Sequence, residues 1–361
     1  MIFPRPFSIA LSALCFFLSS SFTVEAAEGS YPDFIQDWKL WQDYDQFFGE
    51  RGDLIVPKQT GVVIGNWDPE KLMAAWDCYS LQLKVGQEIA AGDSVIEKAE
   101  LDPYPDQFVV VKRSASQKEQ LIFGARLQER LDNPNILPVI GMFTVPGFTP
   151  PGKMRSREWS FVIMPYVETG SLESNYDSYT DQAAINGAFK QMLNAVAAVS
   201  AAGFIHRDLK PENFLKDGDT LKLMDFDQTR EASMPDVGKE YDVGTPSYTA
   251  PEIVSMKTDV KGVFEYTTKV DTFSIAMSFM VMSVPDLRDS DKRFQLWKDL
   301  IEPEPKKFWP SAKDVEEILR KRNYAVFQGN DGLLQVLAKA LCTPGERYDP
   351  PEFLSAFSGV A

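Results

Sequence analysis

Residues 206–213 read His206-Arg207-Asp208-Leu209-Lys210-Pro211-Glu212-Asn213, and twelve positions further on stand Asp225-Phe226-Asp227. Pro211 and the shortness of the run argue against a helix, so Asp208, Lys210 and Asn213 share one loop. The strand-like stretch Leu221-Lys222-Leu223-Met224 then delivers a second carboxylate, Asp225. A fold that carries this pattern has to bring the loop and Asp225 to one place. One carboxylate can orient an attacking hydroxyl and an ammonium can neutralise a moving phosphoryl group. Two oxygen ligands can hold magnesium. Phosphoryl transfer from a nucleotide needs these parts.

Composition narrows the setting. With 361 residues, 44% of them hydrophobic, the chain has enough for one large unit of two lobes beside flanking segments. The net charge of -15 argues against nucleic acid as the main partner, because phosphate backbones are held by Lys and Arg. The only histidine is His206, which excludes a His-ligated zinc or a histidine relay elsewhere. At the N-terminus Arg5 precedes an uncharged, mostly apolar run, Phe7 to Phe22, and then Val24-Glu25-Ala26. This predicts a signal peptide over 1–26 and entry into the secretory pathway. The alternative is an uncleaved anchor, against which the run falls short of the ~20 residues of a membrane span. After cleavage no transmembrane anchor is expected. Cys15 would leave with the signal, and Cys78 and Cys342 read as two buried free thiols, not a disulfide framework.

Residues 27–80 form a Trp-rich extension that holds four of the seven tryptophans. Phe34, Trp38, Trp41, Tyr44 and Phe48 recur at helical spacing, flanked by Asp33, Asp37, Asp43 and Asp45. A membrane-surface helix would carry Lys and Arg on its polar face, so this one is expected to dock on the protein itself. Short strands follow from Leu81, ending in Phe108-Val109-Val110-Val111-Lys112. Gln117 to Leu131 predicts a helix stopped by Asn133-Pro134, and Ser160 to Val167 predicts a strand. Ala183 to Ser200 predicts an amphipathic helix, and Phe273 to Val284 a buried one. Residues 252–357 read as mostly helical.

The loop at 206–213 resembles the catalytic loop of eukaryotic-type Ser/Thr protein kinases, and the resemblance extends over 81–358. It implies a two-lobed α+β fold, with a small β-rich N-lobe and a larger helical C-lobe. Within that resemblance Asp208 is the base for the substrate hydroxyl and Lys210 the lysine at the γ-phosphate. Asn213 and Asp225 are the magnesium ligands, and Lys112 grips the phosphates of ATP. The implied cofactors are ATP and Mg2+, and the implied partner is a protein substrate. Gly244-Thr245-Pro246 through Ala250-Pro251-Glu252 resembles the end of an activation segment. There Thr245 would sit by Asp208 and Glu252 would pair with Arg347. Asp271 would cap the catalytic loop's backbone. Arg207 would dock a phosphorylated residue, for which Thr229, Ser233 and Tyr241 are candidates.

Three positions depart from the family pattern. Of the three glycines expected over Gly86 to Val95, only Gly92 stands in place as a phosphate contact. Hydrogen bonds to a charged group are worth about 1.5–3 kcal/mol each, so losing two would cost roughly two to four decades of nucleotide affinity. The helix glutamate that should pair with Lys112 falls on Gly124, with Glu119 and Glu129 as nearby alternatives. Asp227 replaces a glycine, which reads as a change in regulation and not in chemistry. The signal-like start, the extension and the weakened glycine loop together resemble the secreted rhoptry-type kinases of apicomplexan parasites. That resemblance implies a destination in a parasite secretory organelle or host-facing vacuole. Two functions follow: an active secreted Ser/Thr kinase, or a pseudokinase acting as a binding scaffold.

Overall fold

The computed structural model describes residues 54–57, 80–91, 94–102, 104–139, 141–148, 157–233, 243–255, 267–301 and 309–361. The apolar N-terminal run and the tryptophan stripe from Phe34 to Phe48 lie outside them, as do Gly92 and Cys78. Among the described residues no helix is long and apolar enough to cross a membrane.

An antiparallel sheet of six strands forms the N-lobe. They are β1 (Leu54–Pro57), β2 (Ser80–Ala91), β3 (Val95–Asp102), β4 (Tyr104–Ser114), β5 (Gly141–Phe148) and β6 (Arg157–Pro165), in the order β1-β2-β3-β4-β6-β5. Strand β1 falls inside the stretch read as a helical extension, yet its register of Leu54 to Leu83 makes it part of the sheet. In β4 the β-branched run obeys the period of two. Val109 and Val111 are fully buried, while Val110 and Lys112 turn to the other face and line a cavity. The strand's alternation thus decides where the Lys112 ammonium goes.

Helix α1 (Lys118–Arg130) presents Leu121, Ala125 and Gln128 at helical spacing, and all three are buried and line the same cavity. Its stop is local: the Asn133 side chain accepts from the Asn135 N–H at 2.8 Å, beside Pro134. The Gln128 amide then ties α1 to the Leu137 carbonyl at 2.7 Å.

The C-lobe is helical. Helix α2 (Gln182–Ala201) begins where Asp181 accepts from the Ala184 N–H at 2.8 Å. A five-residue α3 (Pro251–Ser255) leads to α4 (Lys269–Ser283), which is buried on every side from Val270 to Met282. A helix apolar all round belongs in a core, as the run from Phe273 foretells. Helices α5 (Ser290–Ile301), α6 (Ala312–Arg322), α7 (Asp331–Ala340) and α8 (Pro350–Ser358) follow, and α7 and α8 pack against α4. Phe189 of α2 meets Phe279 of α4 at 4.7 Å between ring centroids and Phe357 of α8 at 4.8 Å. Such ring pairs add about 0.5–1.5 kcal/mol each beyond their burial. This rigid base carries the loop at 206–213.

Four short strands frame that loop: β7 (Phe204–Ile205) with β10 (Arg230–Glu231), and β8 (Phe214–Asp217) with β9 (Thr220–Leu223). The end of β9 is stitched to the segment after α1. Leu223 N–H donates to the Asn135 carbonyl at 2.8 Å, and Leu137 N–H to the Leu223 carbonyl at 2.9 Å. Asp225, two residues on, is thereby delivered to Lys112.

Candidate active site

The loop is held in an unusual backbone conformation by one buried carboxylate. Arg207 and Asp225 have φ of 71° and 64°, in the left-handed region where non-glycine residues cost about 1–3 kcal/mol. Asp271, fully buried in α4, accepts from the His206 N–H at 2.7 Å and the Arg207 N–H at 2.9 Å. Burial pushes its carboxyl up to about 6, against the pull of those two donors. Arg207 Nε donates to the Gln228 carbonyl at 2.5 Å. The His206 ring, whose pKa burial lowers, lies 3.3 Å from the Met224 carbonyl and packs edge-on to Phe226. Loop and strand end are therefore locked to each other, and the expected capping role of Asp271 is what the structure shows.

Three side chains converge on Asp208. Thr245 Oγ1 donates to Asp208 Oδ1 at 2.7 Å and accepts from Lys210 Nζ, also at 2.7 Å. Lys210 Nζ stands 3.0 Å from Asp208 Oδ2. Asn213 Nδ2 donates to the Asp208 carbonyl at 2.7 Å and to Oδ2 at 3.2 Å. The carboxylate is thus oriented at both oxygens yet remains partly accessible, with its side chain 15% exposed. A carboxylate so placed can take a proton from an incoming hydroxyl. Lys210 beside it can meet negative charge that develops on a transferred group.

Lys112 is 6% exposed and its Nζ lies 2.8 Å from Asp225 Oδ1 and 2.8 Å from Asp227 Oδ2. Burial alone would lower the ammonium's pKa, but the Asp225 and Asp227 carboxylates outweigh it and raise the pKa above its ordinary value. For Asp225 burial acts upward, and Lys112 overrides it and holds the carboxyl below the usual range. Asp227 ends up raised, because burial and the neighbouring Asp225 charge exceed what Lys112 returns. The three groups form one cluster of net negative charge, with the Lys112 ammonium buried and the Asp225 and Asp227 carboxylates part-exposed.

A cavity of about 290 Å3 opens over this cluster. Ile96, Val110, Val162 and Met164 line it as apolar walls, with Lys112 and Asp225 among the polar groups. Such a site fits a flat base on the apolar side and, with a divalent cation offsetting the cluster's net negative charge, phosphates on the charged side. For a divalent ion the donor set also fits. With its nitrogen committed to Asp208, Asn213 keeps an amide oxygen, and Asp225 adds a carboxylate; hard oxygen donors suit Mg2+.

Asp208, Lys210 and Asn213 are thus brought together, and so are Lys112 and Asp225. Gly92 lies outside the described residues; the flanking β2–β3 hairpin contributes Ile89 and Ile96 to the cavity. Glu252 and Arg347 form the expected buried pair, with contacts of 2.5 and 3.2 Å. Of the residues proposed to carry phosphate, Thr229 is fully buried, Ser233 is exposed and Tyr241 lies outside the described residues.

Two sequence expectations need correction. Neither Glu119 nor Glu129 serves as the partner of Lys112. Glu129 pairs with Arg126 at 3.3 Å and Glu119 lies 3.7 Å from Lys118, while Lys112 is met by Asp225 and Asp227. Asp227 is accordingly a member of the charged cluster, and not only a change in backbone freedom. The signal was present in the sequence as a pair of departures read separately: a glycine at 124 where an acid belongs, and an acid at 227 where a glycine belongs.

Residues 106–321 match the family described as protein kinase domain. A probable cell division protein kinase of Encephalitozoon cuniculi is 34% identical over 194 residues, covering 50% of this chain and 59% of the relative. A probable serine/threonine-protein kinase of Dictyostelium discoideum is 25% identical over 217 residues, 56% of this chain and 34% of the relative. The human eIF-2-alpha kinase is 29% identical over 213 residues, 53% of this chain and 13% of the relative. The match spans less than two thirds of each of these relatives' length.

Proposed function

This chain belongs to the protein kinase family, and from that premise we propose that it is an active serine/threonine kinase using Mg-ATP. The observation that carries the proposal is the network on Asp208: Thr245, Lys210 and Asn213 each bond the carboxylate or its backbone within 2.7–3.2 Å. A protein hydroxyl entering this site gives its proton to Asp208. Its oxygen forms a bond to the γ-phosphorus as the bond from that phosphorus to the β-phosphate oxygen breaks, and ADP leaves. Lys210 meets the charge on the moving group, and Lys112 meets the phosphates left behind. Magnesium, when bound by Asn213 and Asp225, neutralises phosphate charge. The lysine after Asp208-Leu209 marks the Ser/Thr form of the loop, by resemblance.

The N-terminal apolar run supports a secretory destination, and the rhoptry-like architecture supports one in a parasite organelle or host-facing vacuole. A second reading, a pseudokinase scaffold, is favoured by Gly124 standing where the helix glutamate should be. Incubating the full chain with labelled Mg-ATP and a generic acceptor protein, beside Asp208→Ala, separates the two. Transfer lost in the variant supports the kinase; equal background in both supports the scaffold.

A further inference from the structure

Gly124 and Asp227 are far apart in sequence but touch in the fold. A Cβ built on Gly124 would lie 2.6 Å from the Phe226 carbonyl carbon, closer still to its oxygen, and 3.1 Å from the Asp227 nitrogen. No side chain of any length fits there without moving α1 or the loop, so a glutamate at 124 is sterically closed. The loop that occupies this space carries its own carboxylate, and that carboxylate reaches Lys112 Nζ at 2.8 Å. The two glutamates of α1 are engaged elsewhere, with Arg126 and Lys118.

We propose that Asp227 is the positioning residue for Lys112, so that the second anion holding the lysine comes from the loop after β9 and not from helix α1. The inference deepens the kinase reading and rests on it for what Lys112 does; the pairing itself does not depend on that reading. One consequence is mechanical. In this chain Lys112, Asp225 and Asp227 are joined through a single loop, and displacement of α1 does not by itself release the lysine. Gly124 is the other half of the same arrangement, because the glycine lets the loop's backbone come close enough for Asp227 to reach.

The test is a double-mutant cycle on the full chain, using Asp227→Asn, Lys112→Met and the double variant, with far-UV circular dichroism to confirm folding. The readout is the affinity for a fluorescent N-methylanthraniloyl-ATP at saturating magnesium, with kcat and KM for ATP measured alongside. Asp227→Asn is expected to weaken nucleotide binding about fivefold or more in the unsubstituted background and less than about twofold once Lys112 is Met. Glu119→Gln and Glu129→Gln are expected to leave binding unchanged, and Asp227→Glu to recover part of what Asp227→Asn loses. Equal losses in both Lys112 backgrounds, or a loss on Glu129→Gln that matches Asp227→Asn, would overturn the proposal. A chain that binds nucleotide but transfers no phosphate removes the kinase reading and leaves this cycle intact. A chain that binds none moves the cycle to thermal unfolding, where a non-additive pair supports the proposal and an additive pair overturns it.

Discussion

The two sides of the cavity have been treated differently. On the C-lobe side, the residues from His206 to Asn213, with Thr245, Asp271 and the Glu252–Arg347 pair, sit where the family resemblance puts them, and their contacts interlock. On the N-lobe side the lysine is kept but what surrounds it is rebuilt: Gly124 replaces an acid, Asp227 supplies one, and the glycine loop is thinned. On the kinase reading proposed above, the C-lobe side receives the acceptor hydroxyl, and a proton transfer there depends on angles and distances set by several partners at once. On the same reading the N-lobe side meets phosphate charge, which asks mainly for a fixed cation. A carboxylate arriving from a different element can satisfy that requirement.

The sharpest way to break this comparison is on the C-lobe side. Asp208→Ala should lower kcat by at least 10²–10⁴-fold, the span of general-base catalysis, while leaving nucleotide affinity within a small factor. Steady-state kinetics beside nucleotide titration check both halves, and an affinity loss as large as the rate loss would show that the two sides are not separable.

Next in size is stability. Arg347 is 1% exposed and gives bonds to Glu252 and to the Cys342 carbonyl, the latter at 2.6 and 2.9 Å. Glu252→Ala leaves a buried guanidinium without its counter-charge and should cost about 3–5 kcal/mol in urea unfolding. A cost below about 1 kcal/mol would mean that the pair is not buried as described.

A pH experiment sharpens the same region. Asp271 has a native carboxyl raised from 3.8 to about 6, so between those values the folded state binds more protons than the unfolded one. Stability contributed by this group is full below about pH 4 and is lost as pH rises to about 6, the reverse of an ordinary paired carboxylate. The difference in unfolding free energy between the unsubstituted chain and Asp271→Asn should shrink across that window, by up to about 3 kcal/mol. A difference that grows instead would reverse the sign of the shift.

The smallest expected effect probes the N-lobe side. Gly124→Ala forces a methyl against the Phe226 carbonyl and should cost about 1–3 kcal/mol by overpacking, with nucleotide affinity falling as Asp227 is pushed from Lys112. Unchanged stability and affinity would show that α1 moves freely from the loop.

How much of this was legible follows from how far apart the interacting residues are. The loop at 206–213 is contiguous, so its grouping of carboxylate, ammonium and amide is legible directly, and the spacing adds the second carboxylate, Asp225. The buried run of α4 and the alternation of β4, with Lys112 at its end, were legible because burial imprints a period. The Asp271 cap and the Glu252–Arg347 pair were reached only through family resemblance, since nothing local in either segment announces its partner. The Lys112–Asp227 contact was missed. It depends on residues 112, 124 and 227 meeting across three elements, and a one-dimensional reading scored each departure alone. Strand β1 was missed for a simpler reason: Leu54–Pro57 is four residues long, too short to show alternation.

On the reading proposed here, the intact C-lobe side makes this chain a working kinase despite the rebuilt N-lobe side. Phosphate transfer from labelled Mg-ATP by the full chain, to itself and to a generic acceptor protein, tests it most directly when run beside Asp208→Ala. An active kinase gives transfer onto serine or threonine that disappears in the variant. Identical incorporation in both proteins, with nucleotide still bound, would contradict it.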